Sequence, residues 1–135
     1  MAQGNVLVVE DDENFRRLLI EYLKERTCPN VDGARDGVEA LHQISTRSYD
    51  VVLLDVKMPY MSGIDLLASL DALMSDPSVK SLPEMPAVLV ITSAPQEEIA
   101  ADDVRARFPA FVRGVWRKPL DVPALAMRVE ALLPA

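Results

Sequence analysis

The chain is poor in the residues that build covalent or soft-metal frameworks. It has a single cysteine, Cys28, and a single histidine, His42. One cysteine makes no internal disulfide, and together with one histidine it falls short of the tetrahedral ligand set of a structural zinc site. A reducing compartment, the cytoplasm, is the simplest setting. Long apolar runs are missing as well: nothing approaches the roughly 18–20 residues of a membrane span. Met1–Gly4 has neither the basic start nor the apolar stretch of a secretory signal. Positive charge is in deficit, 14 Lys and Arg against 21 Asp and Glu, for a net charge of −7. A surface of that sign repels nucleic acid and acidic membranes, which argues against direct binding to either. At 135 residues the chain reads as one domain with no output domain attached, and its 50% hydrophobic and 26% charged content is that of a globular fold.

What is present is organised. Val6–Val9, Val51–Leu54 and Val88–Ile91 are short, wholly apolar and mostly β-branched, the pattern of parallel strands covered on both faces. Val31–Ala34, with Asp32 and Gly33, and Phe111–Trp116, with Arg113 and Gly114, are interrupted and read as edge strands. Helical patterns lie between them. Phe15, Leu18, Leu19, Tyr22 and Leu23 follow the i, i+3, i+4, i+7, i+8 stripe, with Asp12 or Asn14 as its cap. Val38, Leu41 and Ile44 follow Asp36-Gly37; Leu66, Leu67, Leu70, Leu73 and Met74 follow Ser62-Gly63; Val122, Leu125, Val129, Leu132 and Leu133 follow Asp121. Gln96–Phe108 carries a weaker stripe, and Ser75–Pro86 is a proline-marked connection. The order βαβαβαβαβα predicts a doubly wound α/β fold, a five-stranded parallel sheet in the order 2-1-3-4-5.

Ligands of such sheets bind outside the carboxyl ends of the strands, so the strand endings are where chemistry is expected. Val6–Val9 runs into Glu10-Asp11-Asp12, Val51–Leu54 into Asp55 and Val88–Ile91 into Thr92-Ser93, while Lys118-Pro119 follows the last strand. Carboxylates at a helix start also serve as caps, and that accounts for Asp12. It does not account for Asp55 on the neighbouring strand, because carboxylates gathered in one crevice need a counter-ion. An all-oxygen set without His or Cys suits Mg²⁺, which binds through one or two carboxylates and keeps water for a phosphate to displace. Beside such a site Lys118 supplies a cation for a phosphate oxygen and Thr92 a hydroxyl donor. Asp55, a single carboxylate on a central strand, is placed to be the nucleophile of an in-line phosphoryl transfer.

These pieces together resemble the receiver domain of two-component response regulators. The matching stretches are Val8-Val9-Glu10-Asp11-Asp12, Leu53-Leu54-Asp55-Val56-Lys57-Met58-Pro59-Tyr60-Met61-Ser62-Gly63, Ile91-Thr92-Ser93-Ala94 and Lys118-Pro119, which span nearly the whole chain. The resemblance implies a flavodoxin-like fold and makes Asp55 the phospho-acceptor, with Mg²⁺ held in the acidic pocket of Glu10 and Asp11 by Asp11, Asp55 and the Lys57 backbone carbonyl. It makes Thr92 the switch hydroxyl and Lys118 the phosphate-binding lysine, and it implies a cis Lys118-Pro119 bond. The implied donor is a histidine kinase or histidine phosphotransfer protein, and the implied readout is a downstream protein on the Gln96–Phe108 helix, the fifth strand and the last helix. Such a module is not a conventional enzyme; it promotes its own aspartyl phosphorylation and dephosphorylation. The alternative is a receiver-like interaction module that works without phosphorylation. Three departures from the family pattern stand out: Val115 where an aromatic is common, Ser93 after Thr92, and separations of 37 residues from Asp55 to Thr92 and 26 from Thr92 to Lys118, which imply insertions.

Overall fold

The computed structural model describes residues 3–56, 62–76, 86–93 and 101–134. Within them five strands, β1 (Val6–Val9), β2 (Val31–Ala34), β3 (Val51–Asp55), β4 (Ala87–Thr92) and β5 (Val112–Arg117), alternate with five helices. These are α1 (Glu13–Arg26), α2 (Gly37–Thr46), α3 (Gly63–Ser75), α4 (Ala101–Arg107) and α5 (Val122–Leu132). The sheet runs β2-β1-β3-β4-β5, every pair parallel, which is the expected doubly wound, flavodoxin-like order. The strands β3 and β4 each extend past their apolar run by one polar residue, Asp55 and Thr92.

Strand alternation explains why the central runs are apolar throughout. Val6, Val8, Val51, Leu53, Leu89 and Ile91 face one core layer, where Leu19 and Leu23 of α1 and Leu125 and Val129 of α5 cover them. Leu7, Val9, Val52, Leu54, Val88 and Val90 face the other, with α2, α3 and α4 supplying Ile44, Leu66, Leu67, Leu70 and Val104. Val115 packs on this second layer and Trp116 on the first, so adjacent residues of β5 serve opposite faces. The edge strand β5 carries a register shift between Val88 and Leu89 of its partner, and its interruption at Arg113 is that irregularity.

Asp36, Ser62 and Asp121 cap α2, α3 and α5 as expected, and at α1 the cap is Asp12. Two stripe positions depart from the apolar reading: Leu18 is 52% and Val38 57% exposed. Each lies at the flank of its stripe, beyond the width that the sheet covers. Cys28 sits in the loop between α1 and β2 and is completely buried. Met58, Met61, the Gln96–Ala100 part of the fourth helical segment and most of the Ser75–Pro86 connection lie outside the described residues.

Candidate functional site

The strand ends bring the sequence-predicted groups together. Glu10 follows β1 and remains in the sheet through its N–H, which donates to the Ala34 carbonyl at 3.0 Å. Its side chain is buried. Asp11, the next residue, is exposed and opens the crevice to solvent. Asp55 ends β3 and is buried. One carboxylate oxygen from each of Glu10, Asp11 and Asp55 lies within 4.8 Å of the others. Asp12 serves the helix instead, since its Oδ1 accepts from the Phe15 N–H at 3.0 Å and caps α1.

Lys118 enters from the far side of the sheet. Its N–H donates to the Thr92 carbonyl at 2.9 Å, extending the β4–β5 ladder past the end of β5. Its Nζ donates to Glu10 Oε1 at 2.9 Å and stands 3.5 Å from Asp55 Oδ2. The Lys118-Pro119 bond is cis. Thr92, fully buried, ends β4 next to Asp55, whose register partner is Ile91. Lys57 lies outside the described residues.

The charges in this crevice are unbalanced. Burial, and then the hydrogen-bonded Asp55 carboxyl, raise the Glu10 carboxyl to about 8 against the opposing pull of Lys118. Burial alone lowers the Lys118 ammonium, but its hydrogen bond to Glu10 and the charges of Asp55 and Glu10 outweigh that and raise it. One lysine therefore faces three carboxyl groups. A hard, oxygen-seeking dication fits this donor set, and with Lys118 beside it the site gathers positive charge around a dianionic group.

Three contributors escaped sequence reasoning. Arg16 Nη1 donates to the Glu10 carbonyl at 2.7 Å, tying the strand end to α1. Gly63, read as a turn residue and as the end of the matching stretch after Asp55 but given no role at the site, starts α3 against the end of β3: its N–H donates to the Val56 carbonyl at 2.9 Å, and an added Cβ would stand 2.7 Å from the Asp55 carbonyl oxygen. Phe15, read as core stripe, lies with its ring centroid 4.9 Å from Lys118 Nζ. A glycine after a predicted cap was the one available signal; the other two pairings join residues whose spacing follows no local periodicity.

Known proteins resemble this chain over most of its length. The family model described as the response regulator receiver domain matches residues 6–130. The chemotaxis protein CheY of Pseudomonas aeruginosa is 31% identical over 127 residues, which are 94% of each chain. Among solved structures, a response regulator of Thermotoga maritima in complex with Mg²⁺ and beryllium fluoride is 26% identical with a TM-score of 0.74, covering 97% of this chain and 100% of that one. The receiver domain of a Francisella response regulator is 25% identical with a TM-score of 0.75, covering 96% of each.

Proposed function

The chain belongs to the response regulator receiver domain family, and from that premise we propose that it is a phosphoryl-accepting switch with Asp55 as the acceptor. The observation that carries this reading is the Lys118 ammonium held between Glu10 and Asp55 at the ends of three strands. The donor is a histidine kinase or histidine phosphotransfer protein. An Asp55 carboxylate oxygen attacks phosphorus in line, the new O–P bond forming as the N–P bond of the phosphohistidine breaks and the imidazole leaves. Lys118 turns from Glu10 to a phosphoryl oxygen, and the Thr92 hydroxyl donates to another. Asp11, Asp55 and the Lys57 carbonyl would hold Mg²⁺, which would neutralise charge on the phosphoryl oxygens. Return to the resting state is attack by water on the same phosphorus, which breaks the Asp55 O–P bond, regenerates the Asp55 carboxylate and releases inorganic phosphate.

A domain of this kind acts through a partner rather than on a substrate pool. We place the readout on α4, β5 and α5, with no direct contact to nucleic acid or membrane, and the setting in the cytoplasm. Among the described residues no helix is long and apolar enough to cross a membrane.

Intact mass after incubation with a small acyl phosphate and Mg²⁺ tests the assignment. Wild type gains one phosphate, while Asp55→Asn, Asp11→Ala and wild type in excess EDTA gain none. Asp11 is exposed, so Asp11→Ala shifts folding stability by no more than about 0.5 kcal/mol. Equal incorporation by Asp55→Asn would remove Asp55 from the role, and full incorporation in EDTA would remove the metal.

A further inference from the structure

The first turn of α1 places an aromatic face against the catalytic lysine. Phe15 and Lys118 are 103 positions apart in the chain, yet the Lys118 Nζ lies 4.9 Å from the Phe15 ring centroid, within the range at which a ring quadrupole attracts an ammonium. The ring is fixed from two sides. Its backbone N–H is held by the capping carboxylate of Asp12 at 3.0 Å, and its body packs on the core layer that contains Leu19 and Leu125. With Glu10, Asp12, Lys118, Pro119 and Leu120 it lines a cleft beside the carboxylates.

Three attractions therefore locate the ammonium: Glu10 at 2.9 Å, Asp55 at 3.5 Å and the Phe15 face. Two of them change when a phosphoryl group joins Asp55, because Nζ must leave Glu10 for the incoming oxygen and the Asp55 oxygen becomes the bridging oxygen of an acyl phosphate. The aromatic face alone is the same before and after. It also covers a flank of a side chain that is only 28% exposed, restricting the rotamers a lysine stem otherwise samples.

We infer that Phe15 is a positioning residue for Lys118, holding its ammonium in the crevice for the phosphoryl group without touching that group itself. The inference rests on the reading of Asp55 as phosphoryl acceptor. It predicts that an aromatic at this position, and not merely an apolar side chain, sets the affinity for a phosphoryl mimic.

The test compares the full chain with Phe15→Tyr and Phe15→Leu. Two measurements are made: the NMR shifts of the Lys118 methylene protons next to Nζ, and calorimetric affinities for Mg²⁺ alone and for beryllofluoride at saturating Mg²⁺. Wild type and Phe15→Tyr show the upfield displacement produced by a ring face and bind beryllofluoride within about twofold of each other. Phe15→Leu loses the displacement and binds beryllofluoride about three- to tenfold more weakly, the range of one such contact, with its Mg²⁺ affinity unchanged. A merely structural role would lower the Mg²⁺ affinity in step, and that result overturns the inference. So does beryllofluoride binding by Phe15→Leu equal to wild type. If wild type itself binds no beryllofluoride, the acceptor reading fails and this role falls with it, an outcome distinct from the other two.

Discussion

The Tyr49 hydroxyl donates to Asp32 Oδ2 at 2.8 Å, and Arg47 Nη1 reaches the same oxygen at 2.9 Å. Burial, then the hydrogen bond and charge of Asp32, push the Tyr49 phenol up to about 12 against the pull of Arg47. A folded-state value above the unfolded one, about 10, means stability that is fully present below about pH 10 and lost as pH rises through about 12. Tyr49→Phe is therefore expected to cost about 1 kcal/mol at neutral pH and to flatten the decline of the urea midpoint between about pH 10 and 12. Absorbance titration at alkaline pH checks it, since the variant loses the late-ionising phenol; an unchanged late phase would refute the assignment. Glu10, Asp11 and Asp55 were legible because each is a charged residue just after or at the end of an apolar strand, and Lys118 because it follows the last strand, where such groups have one crevice to enter. Phe15 and Arg16 were not, because an aromatic on a stripe and an arginine after a cap have ordinary roles in a helix, and their contacts to Lys118 and Glu10 exist only once α1 is docked.

At the level of elements, the close approach of Gly63 to the end of β3 bears on where Asp55 lies. An added Cβ at Gly63 would stand 2.7 Å from the Asp55 carbonyl oxygen and 2.8 Å from the Val56 Cα, both backbone atoms that cannot rotate aside. Gly114, in β5, is a control: its added Cβ would meet nothing nearer than the Leu89 Cδ2 at 3.4 Å. Gly63→Ala is expected to destabilise by about 1–3 kcal/mol, the usual effect of overpacking, and to slow phosphorylation by displacing Asp55 from Lys118. Gly114→Ala should leave phosphorylation near wild type. Urea unfolding and acyl phosphate incorporation measure both, and matched behaviour of the two variants would show that the junction does not position Asp55. Elements themselves were largely readable: β1, β3 and β4 are solid apolar runs because helices cover both faces, and Asp36, Ser62 and Asp121 announced three helix starts. Exposure of Leu18 and Val38 was not readable, since periodicity fixes the axis of a stripe but not how much of its width the sheet covers.

For the whole molecule, the question is how a phosphoryl group at one end of the sheet is felt on its side. Thr92 ends β4 and its carbonyl accepts from the Lys118 N–H, so β4 and the extension of β5 are joined as one unit at the site. Behind that unit Val104, Phe108, Phe111 and Val112 share a core layer with Val88 and Val90. Val115 packs against the same layer, whereas Trp116 packs toward α1 and α5 on the opposite face. No aromatic therefore stands on β5 where its side chain would swing between the site and α4, and Trp116 cannot take that part without crossing the sheet. The expected response to a pull on Thr92 runs through the packing of Val104 and Phe108, a shift of a helix rather than a flip of a ring. Hydrogen exchange with and without beryllofluoride and Mg²⁺ should change Ser93–Phe108 as well as Glu10–Asp12 and Asp55–Gly63, with the amides flanking Trp116 following β5 and its indole environment unaltered by fluorescence. Changes confined to Glu10–Asp12 and Asp55–Gly63 would mean that the signal leaves by another face, and a large change in indole emission would mean that Trp116 moves after all.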